Sequence, residues 1–208
     1  MPPPADLAGE QSPPTQTAAS LRRAVTLAAT LNLAFFGAEF TMARRIGSVS
    51  LFADSIDFLE DTAVNALVLL ALGYSIGTRA RIGVLLALLL LVPGVATLWT
   101  AWHKLLEPLA PAPLPLSLTA LAALLVNVGC ALLLSPVRSA GGSLSRAAYL
   151  SARNDAWAGL AILGAAALTA AWPSAWPDLA VGLAIFGLSL GAARQVYRQA
   201  RAEAQLAR

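Results

Sequence analysis

Apolar positions fall into six long blocks, at about 24–43, 48–76, 82–102, 114–137, 143–171 and 179–196, separated by short clusters of charge, proline and glycine. Each block approaches the roughly 20 mostly apolar residues that a helix needs to cross a bilayer. The pattern predicts an all-α integral membrane protein with six transmembrane helices. Arg44, Arg45 and Gly47 part the first block from the second, and "GTRAR" at 77–81 parts the second from the third. "EPLAPAPLP" at 107–115 is too rich in proline to be helical and precedes the fourth. "SPVRSAGGS" at 135–143 and "WPSAWP" at 172–177 supply the last two turns.

Composition agrees with this pattern. The 208 residues are 58% hydrophobic and 12% charged, with mean hydropathy +0.69, whereas soluble domains carry about a quarter charged residues. The Pro-rich, polar segment 1–19 reads as a disordered N-terminal tail. Residues 20–200 then form one six-helix transmembrane domain, with a short C-terminal tail at 201–208. The net charge of +3 does not suggest nucleic acid, because the basic residues flank apolar blocks instead of forming a stripe.

Charge also predicts orientation, since short cytoplasmic loops hold the excess of Lys and Arg. With the N-terminus inside, ten basic residues are cytoplasmic: Arg22, Arg23, Arg79, Arg81, Arg138, Arg146, Arg194, Arg198, Arg201 and Arg208. Three, Arg44, Arg45 and Lys104, are outside, and Arg153 lies within the fifth span. Both termini are therefore expected in the cytoplasm. Trp99, Trp102, Trp172 and Trp176 fall at outer span ends, where interfacial aromatics anchor. The lone Cys130, in an apolar run, reads as a small buried hydrophobe.

One stretch of the second block is conspicuously polar: "ADSIDFLED" at 53–61 holds Asp54, Asp57, Glu60 and Asp61. An ionised Asp at mid-membrane costs roughly 2.5–3.5 kcal/mol, so protonation, a bound cation, a basic partner or a water-filled cavity has to offset the group. At about 100° per residue, Asp57 and Asp61 share one helix face, Asp54 lies within about 60° of both, and Glu60 falls at the edge. Like charges at this spacing repel in an empty site and are held ionised by a cation, which links metal binding to proton release. In the fifth block, "YLSARNDAWAG" at 149–159 places Ser151 and Asp155 one turn apart, with Asn154 beside the latter. Two facing helices carrying such pairs can build a four-point oxygen site for a divalent cation from Asp57, Asp61, Asp155 and, more weakly, Ser151. Ser151 can equally bond back to the carbonyl one turn earlier.

Asn32 and Asn127 are expected to hydrogen-bond between helices. Glu39 lies near the outer end of the first span, where it reaches water or lines the pathway, and His103 reads as interfacial. No nucleophile elbow, phosphate loop, HExxH or CxxC motif is present, so no enzyme is expected, and no prosthetic cofactor.

These residues resemble the cation diffusion facilitator (cation efflux) family. "GSVSLFADSIDFLEDTAVN" is similar to its second-span pattern of Ser, Leu and Ala-Asp followed by His or Asp, three residues and Asp. "SRAAYLSARNDAWAGLAIL" is similar to its fifth-span pattern, while "GYSIGTRARIG" and "WPDLAVGLAI" resemble the loop after the second span and the start of the sixth. The resemblance runs from about Arg22 to Arg201 and implies metal ligands at Asp57, Asp61 and Asp155; by their places along the helices, Asp54, Glu60 and Asn154 are expected to support them. Ser151 stands where His or Asp is usual, and a hydroxyl is a weaker zinc donor than imidazole. The hard donor set suits manganese, iron or cobalt, or zinc completed by water, with cadmium also to be compared. The family's soluble metal-sensing domain is not expected, because about a dozen residues follow the sixth block.

The resemblance implies a divalent-cation/proton antiporter exporting metal from the cytosol through a site between the second and fifth helices. Its substrates are the metal ion and protons, its surroundings the lipid bilayer, and any homodimer would rest on membrane contacts. The expected location is a cell membrane, crossed several times, and the abundance of Ala, Leu and Arg points toward a bacterial inner membrane. The alternative is a non-transporting metal-binding or assembly protein derived from the same family.

Overall fold

The computed structural model describes residues 14–71, 73, 91–138 and 142–188, and among these the regular structure is entirely helical. The helices are α1 (Pro14–Ile46), α2 (Val49–Ala71), α3 (Leu91–Leu106), α4 (Pro113–Leu134), α5 (Gly142–Ala171) and α6 (Trp176–Leu188), with a 3₁₀ turn at Ser135–Val137. Each overlaps one apolar block of the sequence. The expected loop at 77–81, the first part of the third block, the residues after 188, both tail ends and Arg79, Arg81, Arg194, Arg198, Arg201 and Arg208 lie outside the described residues.

Helix ends follow local chemistry more closely than hydropathy. α1 begins at Pro14, ten residues before the apolar block and within the segment read as a tail. Proline is well suited to a first helical position, where its missing N–H is not needed. At the other end, Arg44 and Arg45 belong to the last turn of α1 and complement its dipole. Gly47, at φ 62°, then reverses the chain and lets Ser48 N–H reach the Ala43 carbonyl at 3.1 Å. That bond pattern around a left-handed glycine is the Schellman stop. Ser48 starts α2 at once, its Oγ accepting from the Leu51 N–H at 3.2 Å as an N-cap. Pro113 opens α4 in the same manner, inside the stretch expected to be non-helical.

α1 packs antiparallel along α2 and α4 along α5, and contacts of α1 with α4 and of α2 with α5 close the bundle. α2 is the central element, since every residue from Ser48 to Asp61 is buried. The bundle is oily without, and its interior combines apolar clusters with buried polar groups. Leu98, Leu118, Leu125, Leu132, Leu168 and Leu188 are exposed, as are Trp99, Trp102, Trp172 and Trp176 at one end. Buried positions instead hold Asn32, Glu39, Asp54, Asp57, Glu60, Asp61 and Asn65. Among the described residues two segments, Ala18–Ile46 and Pro113–Val137, are long and apolar enough to cross a membrane by composition alone. α2 and α5 are interrupted by the acids and arginines that set them apart in the sequence.

Small residues permit the tightest approaches. A side chain at Gly182 on α6 would place its Cβ 2.6 Å from the Ser50 nitrogen and the Val49 carbonyl carbon, so the start of α2 sits directly on α6. A Cβ at Gly159 on α5 would lie 3.3 Å from the Leu124 Cβ of α4, a tight approach.

Candidate metal site and its surroundings

The four acids of α2 divide between two faces. Asp57 and Glu60, one turn apart, line a cavity of about 580 Å³ between α2, α5 and α6, together with Ser151, Asn154 and Asp155. Val181, Ala184, Ile185 and Leu188 of α6 supply an apolar wall. Glu60, placed at the edge of the stripe by helix geometry, is thus a lining residue. Asp54 and Asp61, two turns apart, turn toward α1.

Asp61 accepts from Asn32 Nδ2 at 3.3 Å, and Asn32 Oδ1 in turn accepts from Cys130 Sγ at 3.3 Å. This chain ties α2 to α1 and α1 to α4, the interhelical role expected of Asn32. It also gives Cys130 a polar contact beyond its packing. Asn65 Nδ2 bonds back to the Asp61 carbonyl at 2.8 Å. Ser151 on α5 faces the Asp61 carboxylate, and Asp155 lies within electrostatic reach of Asp61, Asp57, Asp54 and Glu60. Asn127 is buried, but its Nδ2 finds no acceptor among the described residues.

Asp57, Glu60, Asp61, Ser151, Asn154 and Asp155 therefore lie at or beside the α2–α5 seam, whereas Asp54 faces Glu39 of α1. They are assembled as neighbours and not as a closed shell: among the described residues, no three His, Cys, Asp or Glu side chains converge tightly enough to hold a metal ion. Carboxylates with no cation between them have no reason to converge, because their charges repel.

Two expectations about basic and acidic residues need correction. Lys104 is not a loop charge. It sits in the last turn of α3, only 6% exposed, and its Nζ donates to Asp178 Oδ2 at 2.9 Å and to the Gly47 carbonyl. Glu39 does not reach water; it is wholly buried opposite Asp54, because α1 lies against α2 along that length. Arg153, in contrast, is exposed, with a 3.5 Å contact to its neighbour Asn154, and His103 is exposed with its ring edge-on to Trp99.

Asp178 is the functional-looking residue that sequence reasoning passed over. Its Oδ1 accepts from the hydroxyls of Ser48 and Ser50, both at 2.6 Å, and from the Ser50 N–H at 3.2 Å. Its Oδ2 accepts from the Val49 N–H at 2.9 Å and from Lys104. The first amides of a helix have no partner of their own and present positive potential. Asp178 satisfies two of them from another helix. The signal was one acid and one lysine at the same end of the apolar blocks, without any clue that they meet.

Comparison with known families bears on what such a bundle does. A family model described as the cation efflux transmembrane domain matches residues 25–203. The chain belongs to the cation efflux family. No curated protein matches the sequence significantly. Cation efflux proteins are membrane proteins that transport metal cations and are not enzymes, so a divalent cation is this chain's substrate class. In a cation efflux domain the oily exterior of the bundle has a plain reason, since lipid solvates the outer leucines.

Proposed function

We propose that the protein exports a divalent transition-metal cation from the cytosol in exchange for protons, by way of the cavity between α2 and α5. The observation that carries this reading is the meeting of Asp57, Glu60, Ser151 and Asp155 on the wall of one half-open cavity in an otherwise apolar bundle. Asp57, Asp61 and Asp155 coordinate the ion, and Ser151 contributes a weak or water-mediated contact. Glu60, Asp54 and Asn154 support them. A divalent cation offsets the repulsion that keeps the carboxylates apart, and it binds to their ionised forms, so loading releases protons. Rearrangement of the helices then opens the site to the other side. All six helices span the bilayer in this reading, with both termini cytoplasmic in a bacterial inner membrane, in accord with the basic residues and the tryptophans at the opposite end. The oxygen-only donor set favours manganese, iron or cobalt over zinc.

The test is flux in proteoliposomes across manganese, iron, cobalt, zinc and cadmium, with proton release followed in detergent. Wild-type protein is expected to move at least one of these metals and to release protons as it binds. Asp57→Ala and Asp155→Ala should abolish both. Normal flux in both variants would place the site elsewhere, and binding without flux in the wild type would make the protein a non-transporting relative.

A further inference from the structure

Glu39 stands on α1 and Asp54 on α2, each entirely buried. Among the described residues no N–H or O–H donor reaches any of their four carboxyl oxygens. The two side chains nevertheless lie within hydrogen-bonding reach of each other. Two ionised carboxylates cannot make that bond, since both only accept; one proton between them makes it possible.

The pair lies beside the metal site and outside its cavity, with Asp54 one helical turn from Asp57. Seven residues separate Glu39 from Asn32 and Asp54 from Asp61, which puts the pair two turns, about 10 Å, from the Asn32–Asp61 bond. It lies toward the bundle end where Gly47, Lys104 and Asp178 meet. Neither residue lines the cavity at Asp57 and Asp155. Two carboxyls with no third ligand make a poor metal site, whereas they suit a shared proton.

The charged surroundings leave little else to neutralise the pair. α2 contributes Asp57 and Asp61, and α5 contributes Asp155, all acidic. Lys104 of α3 is committed to Asp178 of α6 and to Gly47, and Asn32 to Asp61. The buried polar groups of α4 are Asn127 and Cys130, neither of them charged. Arg44 and Arg45 on α1 and Arg153 on α5 are exposed.

We infer that Glu39 and Asp54 form a proton-binding pair, separate from the metal-coordinating carboxylates, which holds one proton while the metal site is empty and yields it when the cation loads. The coupling is electrostatic. Positive charge arriving at Asp57 and Asp155 favours the ionised form of carboxyls nearby, and the low-dielectric interior does not screen it. The inference rests on the exchange reading above, for which it supplies a counter-ion site.

The experiment compares full-length wild type with Glu39→Gln, and with Glu39→Met in case the first fails to fold. Protons released per manganese ion bound are counted in weakly buffered detergent. Glu39→Gln is expected to release one proton fewer, while manganese affinity changes by less than about threefold, as for a group acting only at a distance. The metal-free infrared spectrum of the wild type should also contain a protonated-carboxyl band that Glu39→Gln lacks. Equal proton counts and identical carboxyl bands would overturn the inference. If wild type bound no manganese or other divalent metal, the exchange reading and the coupling would fall together, and the infrared difference would still decide whether the pair holds a proton.

Discussion

Asp178 and Asp54 are both fully buried carboxylates at helix contacts of the same bundle, and they are treated in opposite ways. Asp178 accepts five hydrogen bonds, one of them from a buried lysine. Asp54 accepts none from any N–H or O–H of the described residues, and its neighbours Glu39 and Asp61 carry unpaired oxygens as well. A buried charge is tolerated when paired and saturated with donors, and is expensive otherwise. Evolution of a purely structural contact would saturate both sites. The unsaturated one keeps its lone pairs available, as binding of a proton or a cation requires. Replacing an acid should therefore have opposite consequences in the two regions.

The largest effect is expected at Asp178. Asp178→Ala leaves the Lys104 ammonium buried without its partner and frees two amides and two hydroxyls at the start of α2. Breaking a buried pair from one side costs about 3–5 kcal/mol. Thermal unfolding in detergent should show a large loss of stability, or no folded protein. An unchanged melting temperature would mean that the clasp does not hold α2, and the comparison would collapse. Lys104→Met should cost less, about 1–3 kcal/mol, because Asp178 keeps its four bonds to α2.

In the cavity beside Asp54 the sign reverses. Asp57→Asn or Asp155→Asn should lower metal affinity by more than the roughly 10–100-fold that an outer partner of a metal site is worth, with the melting temperature unchanged or raised. Metal affinity by calorimetry and unfolding on the same samples measure both halves. A variant that lost stability and affinity together would make these carboxylates structural after all.

Much of this architecture was legible in the chain. Each helix of the described residues overlaps one of the apolar blocks, and "ADSIDFLED" with "SARNDA" marks the cavity walls, because rare polar groups in oily helices are conspicuous. The boundary of α1 was not legible, since hydropathy is silent about a proline-initiated helix that extends past the apolar block. Nor was the clasp: Ser48 and Asp178 are 130 residues apart, and each alone reads as an ordinary helix-end residue. Lys104 looked like a loop charge and Glu39 like a water-facing acid for one reason. Position along a span says how deep a residue lies, whereas its direction depends on which helices pack beside it. The division of α2 into a cavity face and an α1 face was hidden in the same way, because a helical wheel gives angles without neighbours.

Gly182 tests the seat of the clasp without touching a charge. A methyl group there would meet backbone atoms of Val49 and Ser50 at 2.6 Å, and backbone cannot rotate aside. Gly182→Ala should push α6 from the start of α2 and cost about 1–3 kcal/mol, as overpacking does. Because Asp178 rides on α6, the same substitution should weaken the clasp, and combining it with Lys104→Met should give less than the sum of the two losses. Strict additivity in unfolding experiments would separate the packing contact from the ion pair.

Ser151 is expected to show the smallest effect and decides how far the cavity wall belongs to the metal site. Its hydroxyl faces Asp61 and lines the cavity with Asp155, but a neutral oxygen is a weak donor beside three carboxylates. Ser151→Ala should therefore reduce metal affinity by no more than about tenfold, the low end of the range for partners outside the coordination shell. Ser151→His asks the sharper question. An imidazole at this corner adds a nitrogen donor that zinc accepts readily and manganese less so, so the ratio of zinc to manganese flux should rise in proteoliposomes. An unchanged ratio would mean that Ser151 does not touch the ion. The metal would then be held by α2 and Asp155, and Ser151 would serve to orient Asp61.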